Sequence, residues 1–597
     1  MGKKILKIVG WVLVGILTLF IISLLYLKIA GPAYVKKQMI ERVEDRTNGR
    51  YSLAIDSLDF KIFPISLHLG GVKLKRNYEI RQYSGNPLLD KFNIDLRFRS
   101  LYVDRFKVRR FLFGNHLKVD EFRWIEPSLV VRKNRNYDPS RATQEQIDTV
   151  SVVARDSIQA DTLLADGEAR TEFVETSRQV LPSLDLKRLE IQNAYFAIYG
   201  GIVEEPVQEV KGLRLNLNEV KFKEDDDIPF GVEGLSIELD SAFTIVSNST
   251  AKLGVAGLDI TPQNYHLDSV YYHNTVNRYR MNRLKGFRAN WVDLRVKNLD
   301  LNGLDYAQMI ADSAVLVNKI EIQEVYVNLF KDKSEKRINL AHQALPPELV
   351  RNIPVPVDVD TLLIRNATLH LDAQAPSAKA PGRLILDPIN VQITNLTNLP
   401  SRLTEDPMMV LQLDTRLMGV APLNARYQFK IDDPADTFTV SGSLAPMDAK
   451  VMNPFIGSQF FIEFKSGYFD TVEFTFTGNN QANVGEMDLE YRKLAFRKLQ
   501  NYQQFLDKSP KMGFVSAAGT FVVPSNRSKS DKHYKKSVIY YEKEYNRDFI
   551  HGTVMSVLSG FANSLGVLRK DLGKMQEQAK NVEKKPSKKL FKKKKKN

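Results

Sequence analysis

The chain has 597 residues, 43% hydrophobic and 26% charged, a folded-protein balance too long for one ordinary core. Its formal charge of +15 is uneven: nine lysines and no acid lie between Lys584 and Asn597, so the remainder carries only +6, too little for a phosphate-backbone binder. With no cysteine, disulfides, thiolate metal sites and cysteine nucleophiles are excluded.

Ile8 to Leu27 (IVGWVLVGILTLFIISLLYL) holds no charge. At about 1.5 Å per residue, a helix of about 20 residues covers the roughly 30 Å hydrocarbon core of a bilayer. A cleaved signal peptide has a shorter apolar run, and a soluble core helix would show a polar stripe, whereas this stretch has only Thr18 and Ser23. The expectation is an uncleaved anchor that presents Ile8, Trp11, Leu13, Ile16, Phe20, Ile22, Leu25 and Leu27 to lipid. Lys3, Lys4 and Lys7 balance Lys28, Lys36 and Lys37, so charge does not orient it.

Pro32 to Asn48 predicts a short amphipathic helix, with proline near its start and Gly49 just beyond its end. From Tyr51 the apolar period changes to two, as in Tyr51, Leu53, Ile55 and in Ile94, Leu96, Phe98, which predicts strands with one greasy and one wet face in an antiparallel sheet. Gly70-Gly71, Gly85-Asn86-Pro87 and Gly114-Asn115 are turn signals between them. Asp138 to Ser183 is polar and nearly free of aromatic residues, a linker or insertion.

One element recurs four times: LKVDEFRWIEPSL (Leu117–Leu129), LDLKRLEIQNAYF (Leu184–Phe196), VLVNKIEIQEVYV (Val315–Val327) and VDVDTLLIRNATL (Val357–Leu369). Each copy is apolar at positions one, three, six, eight and thirteen. The irregular intervals exclude a strict tandem repeat, and the step of three implies a bulge. Asn193-Ala194 and Asn366-Ala367 suggest turns into a following strand.

Further strands are predicted at Leu384–Ile393, Val410–Leu417, Tyr427–Ile431, Phe438–Leu444, Phe460–Phe464, Tyr468–Phe476 and Glu486–Leu494, ending near Gly513–Val523. Nothing obvious in the chain covers the greasy face of the last hairpins, which leaves a sandwich or a lipid-filled groove. Asp548 to Leu568 has a helical apolar face, interrupted by Gly552, Gly560 and Gly566. With the lysines behind it, this segment reads either as a peripheral membrane element or as a helix capping the β structure before a solvated tail. Lys588, Lys589, Lys592, Lys593, Lys594, Lys595 and Lys596 are the candidates for anionic-lipid contact.

No catalytic constellation emerges. Asp358-Val359-Asp360-Thr361 matches a phosphatase-like DxDxT pattern but falls inside a copy of the recurring element, where two outward aspartates on a surface strand explain it. The eight histidines are scattered, without metal-ligand spacing, and there is no nucleophile elbow, P-loop or dinucleotide fingerprint.

The anchor, the short helix, the NGRYSLAI stretch (Asn48–Ile55), the recurring element and the Phe438–Gly478 region together resemble the AsmA-like proteins of bacterial envelopes. The resemblance implies an inner-membrane anchor with a short cytoplasmic N-terminus and a periplasmic body. It also implies a mainly β fold: an elongated, twisted, taco-like sheet groove, followed here by a C-terminal helix and basic tail. The parts would be 1–30, 31–137, 138–183, 184–525, 526–583 and 584–597.

Under that reading Leu117, Val119, Leu184, Leu186, Leu189, Ile191, Phe196, Val315, Val317, Ile320, Ile322, Val357, Val359, Leu362 and Ile364 are lipid-groove candidates. Membrane phospholipids and other envelope proteins are the expected partners, with no nucleic acid, cofactor or metal. A scaffold that binds proteins and packs its greasy faces as sandwiches is the alternative, and a hydrolase using Asp358 and Asp360 a third.

Overall fold

Apolar–polar alternation at period two writes most of this chain as strand. The computed structural model is accordingly mainly β, with 61% strand and 16% helix among the described residues. It describes residues 31–62, 65–80, 92–105, 117–134, 184–200, 205–222, 231–246, 250–311, 314–337, 341–499 and 523–566. The anchor at 8–27, the insertion at 138–183, the turn signals at 85–87 and 114–115, the strand at 513–522 and the lysine tail lie outside the described residues. Among the described residues, no helix is long and apolar enough to cross a membrane.

Two compact units divide the chain, Met1–Leu267 and Asp268–Asn597. In the first, α1 (31–46) precedes β1 (Tyr51–Ile62), β2 (Ile65–Arg76), β3 (Phe92–Asp104), β4 (Leu117–Ile125), β5 (Ser128–Lys133), β6 (Leu184–Tyr199), β7 (Pro206–Phe222), β8 (Gly231–Val246) and β9 (Ala251–Ile260). β1, β2 and β3 are antiparallel neighbours, and β3 pairs with β4 along one half and β5 along the other. β4 and β5 are one strand broken at Glu126-Pro127, where proline removes a ladder donor. Both run parallel to β6, and β6 to β9 form an antiparallel meander. Met39 of α1 packs on Ile55, Leu58, Leu69, Val72 and Phe98.

The unit boundary falls in β10 (Tyr265–Asn274). The second unit then carries α2 (Met281–Lys285), β11 (Asn290–Leu304), α3 (Tyr306–Ala311), β12 (Val315–Asp332), α4 (Pro346–Arg351), β13 (Val357–Gln374), β14 (Gly382–Thr397) and α5 (Pro400–Glu405). β15 (Met408–Leu417), β16 (Ala421–Lys430), β17 (Phe438–Leu444), β18 (Met447–Asp448), α6 (Asn453–Phe460), β19 (Ile462–Gly478), β20 (Ala482–Lys498), β21 (Ser537–Glu542) and α7 (Phe549–Ser564) follow. β12 and β13 are parallel, and the other pairings from β11 to β21 are antiparallel among the described residues.

The sheet is therefore mixed, where alternation alone suggested antiparallel. Period two reports the face of each residue but not the direction of its neighbour. Direction follows from connection length, since parallel partners need a crossover of a dozen or more residues. The chain between β5 and β6, and that between β12 and β13, are both long enough.

Three local expectations change. Gly70-Gly71 lies inside β2, with Gly71 left-handed (φ 61) where a side chain would collide with Asp56. Asn193-Ala194 and Asn366-Ala367 also sit inside single strands, with Asn193 and Asn366 left-handed (φ 52 for each). Phe460–Phe464 is not one strand: Phe460 ends α6, Phe461 turns left-handed at φ 54, and β19 begins at Ile462.

The largest core lies under α7, which supplies the cover that the pattern of the last hairpins lacked. Phe549, Val557, Phe561 and Leu565 pack on a cluster that includes Phe438, Val440, Phe469, Phe476, Met487 and Ile539. Gly560 lets the helix close on the sheet, because a Cβ there would meet Ile539 Cγ1 at 2.9 Å. Asn563 Nδ2 donates to Val538 O at 2.6 Å and Asn483 Nδ2 to Ser556 Oγ at 2.8 Å, fixing the docking. Of the two readings of this segment, a helix capping the β structure accounts for these contacts.

Candidate functional site

The four copies of the recurring element are brought together in two parallel pairs. In the first unit Leu117 stands opposite Leu184, Val119 opposite Leu186, Phe122 opposite Leu189, Trp124 opposite Ile191 and Leu129 opposite Phe196. In the second, Val315 faces Val357, Val317 faces Val359, Ile320 faces Leu362, Ile322 faces Ile364 and Val327 faces Leu369. Every apolar position of one copy meets the same position of its partner.

The step of three is absorbed at position four. Asp120, Lys187, Asn318 and Asp360 occupy it, and the residue facing each on the antiparallel neighbour is left-handed: Arg105 (φ 54), Glu219 (φ 53), Gly303 (φ 69) and Asn395 (φ 58). A second left-handed residue sits at position ten of each copy: Glu126 (φ 50), Asn193 (φ 52), Glu324 (φ 49) and Asn366 (φ 52). These local kinks return positions three and six to one face. Val119 and Leu186 therefore share a cluster with Phe122 and Leu189, as Val317 and Val359 do with Ile320 and Leu362.

The opposite face is charged. Arg123 bridges Glu121 and, at 3.2 Å, Glu190, which Arg188 also reaches at 3.3 Å. In the second unit Lys319 and Arg365 hold Glu321 at 2.5 and 2.9 Å, and their hydrogen bonds keep its carboxyl below the usual range. Such a ladder cannot pack on an apolar partner without stranding its charges.

On the apolar face, cross-strand partners line up in rows. In the first unit Leu58, Leu69, Leu101, Trp124, Ile191, Leu215, Ile237 and Ile260 follow one another across β1, β2, β3, β4, β6, β7, β8 and β9. Leu58 and Leu69 are buried, and the other six are half-buried. In the second, Leu301, Ile320, Leu362, Ile393, Leu411, Tyr427, Val440 and Phe476 run from β11 to β19. The row is half-buried from Leu301 to Leu411 and closes under α7, where Val440 is 0% exposed and burial pushes the Tyr427 hydroxyl up to about 12.

Position three thus belongs to closed core, with Val119, Leu186, Val317 and Val359 all buried, and Val357 at position one is buried with them. Leu189, Ile191, Phe196, Val315, Ile320, Ile322, Leu362 and Ile364 are half-buried. Leu117 and Leu184 are placed in strand, opposite one another. The anchor residues and Lys588 to Lys596 lie outside the described residues.

No protein-family model matches the chain, and no curated protein matches its sequence. Leu101, Leu215, Ile237, Ile260, Ile393 and Leu411 extend the rows although only the copies themselves were singled out by sequence. Their signal was the ordinary alternation of the flanking strands, which carries no register across a loop.

Asp358 and Asp360 are held by one residue, Arg402 of α5, at 3.3 and 2.8 Å. A guanidinium shared by both carboxylates offsets one of their two charges, and the arrangement is that of an ion-paired surface strand. Among the described residues no group of three or more histidines and carboxylates could hold a metal.

Proposed function

We propose that this chain is a non-enzymatic lipid-binding protein of the AsmA-like type, tethered by Ile8–Leu27 to a bacterial inner membrane with its body in the periplasm. Its task in this reading is to carry acyl chains on the apolar sheet faces and to take part in phospholipid transfer and outer-membrane homeostasis. The observation that carries the proposal is the pair of half-buried rows, Leu101 to Ile260 and Leu301 to Leu411. Continuous apolar rows backed by a charged face fit long hydrocarbon chains better than a second protein layer.

The test is mass spectrometry of lipids co-purifying with the full chain, extracted in mild detergent, beside an Ile191→Asp variant. The expected result is phospholipid on the wild type and a folded variant with clearly less of it. A lipid-free, monodisperse wild type would overturn the reading in favour of a protein-binding scaffold.

A further inference from the structure

At one end of the second unit's apolar face, four cations gather without an ion-paired carboxylate among the described residues. β12 carries Val327, Leu329 and Lys331 on one side, and Leu329 continues into Leu371 and Leu384 across β13 and β14. Just past the strand, Lys333 Nζ donates to Gln459 Oε1 of α6 at 2.6 Å. Arg288 donates to the backbone oxygens of Lys333 at 2.8 Å and Glu335 at 3.0 Å. Arg337 Nη2 donates to Asn546 O, and its Nη1 is buried with no hydrogen-bond partner among the described residues.

None of Arg288, Lys331, Lys333 and Arg337 forms an ion pair within 4 Å among the described residues, although Asp332 attracts Arg288, and Asp548 and Glu544 attract Arg337, from farther off. Asp332 accepts from Ser334 N at 2.9 Å, Asp548 accepts from His551 N at 2.7 Å, and Glu544 pairs with Arg547 at 3.1 Å. Carbonyl and amide oxygens orient these cations without neutralising them. The crowding registers in their titration: burial first, then Arg288, Lys331 and Arg547, brings Lys333 down to about 8, and burial with Arg547 and Arg337 lowers Arg288.

We propose that Arg288, Lys331, Lys333 and Arg337 bind a phosphate anion. Resting on the lipid-binding reading, that phosphate belongs to a phospholipid headgroup whose chains lie along Leu329, Leu371 and Leu384. Guanidinium forks and ammonium groups suit phosphate oxygens, and the leucines begin two residues before Lys331 on its own side of β12.

The experiment compares the full chain in mild detergent with Lys331→Gln and with Lys331→Gln/Lys333→Gln. The probes are phosphatidylglycerol, diacylglycerol with the same chains, and inorganic phosphate against chloride at equal ionic strength. Expected are about tenfold tighter binding of phosphatidylglycerol than of diacylglycerol by the wild type, loss of that preference in the double variant, and a phosphate-dependent rise in melting temperature seen only with the cations intact. The Lys331 side chain makes no hydrogen bond among the described residues and its backbone stays in the β12 ladder, so the single variant keeps the fold and should lose part of the preference.

Equal binding of both lipids by wild type and variants would overturn the phosphate site while leaving lipid binding in place. Phosphate protection without binding of either lipid would support the anion site and overturn the lipid reading. Neither protection nor lipid binding would overturn both.

Discussion

Val317 on β12 stands directly opposite Val359 on β13, each the third residue of its copy, and the two are 3% and 2% exposed. The parallel pair is therefore locked by identical side chains meeting at identical positions. Val359→Ala removes buried methyl groups and leaves a void, for an expected loss of about 2 kcal/mol. Val359→Asp should cost more than about 3 kcal/mol, because its charge would have no buried partner. Denaturant midpoints of the full chain read both.

The left-handed residue at position ten makes a separate prediction. Asparagine tolerates this region and a β-branched residue does not. Asn366→Val should destabilise by about 1–2 kcal/mol, whereas Asn366→Gly should stay within about 0.5 kcal/mol. At the equivalent position Glu324 pairs with exposed Lys297 at 2.6 Å, a surface contact of little net effect. Glu324→Asn should then stabilise by a few tenths of a kcal/mol, measured by the same denaturant titration.

The recurring element was legible because its five apolar positions are set by a local rule: the face each side chain must take. What pairs with it was not. Val357 follows Val315 in sequence across a long connection, and nothing in either copy says whether the partner arrives parallel or antiparallel. The cover over Phe438 and Phe476 was hidden for a related reason. Phe549, Val557 and Phe561 advertise an apolar helical face, but the same pattern serves a helix lying on lipid and one lying on a sheet. The cations Arg288, Lys331, Lys333 and Arg337 were not legible as a site, since two separate segments of chain, Arg288 and the 331–337 stretch, contribute them.

Stability should fall on mild acidification, and the sign follows from His551. Burial, with Arg547 beside it, lowers this imidazole from 6.5 to about 4. Between those values the unfolded chain binds a proton that the folded chain does not, so stability present above pH 6.5 is lost progressively toward pH 4. His551→Gln should flatten that slope. Lys333, lowered from 10.5 to about 8, adds a second window of the same sign, with stability rising as pH increases from 8 to 10.5. Melting temperatures across the two windows, with Lys333→Gln as the control for the upper one, check both.

The two sides of α7 give the last prediction. Phe549 meets Tyr427, Phe429 and Phe438 edge-on, with ring centroids 5.6, 5.5 and 5.2 Å away. Ile550, the next residue, is 72% exposed. If α7 works as the cover of the sheet, Phe549→Ala should cost about 3 kcal/mol and Ile550→Ala less than about 0.5 kcal/mol, whether or not vesicles are present. A helix that instead left the sheet to lie on a membrane would remove this difference in stability once anionic vesicles were added. Phe549→Ala would then weaken vesicle binding while leaving the stability of the β structure unchanged. Calorimetry of the two variants with and without vesicles separates the cases, and the aromatic contacts around Phe549 predict the first.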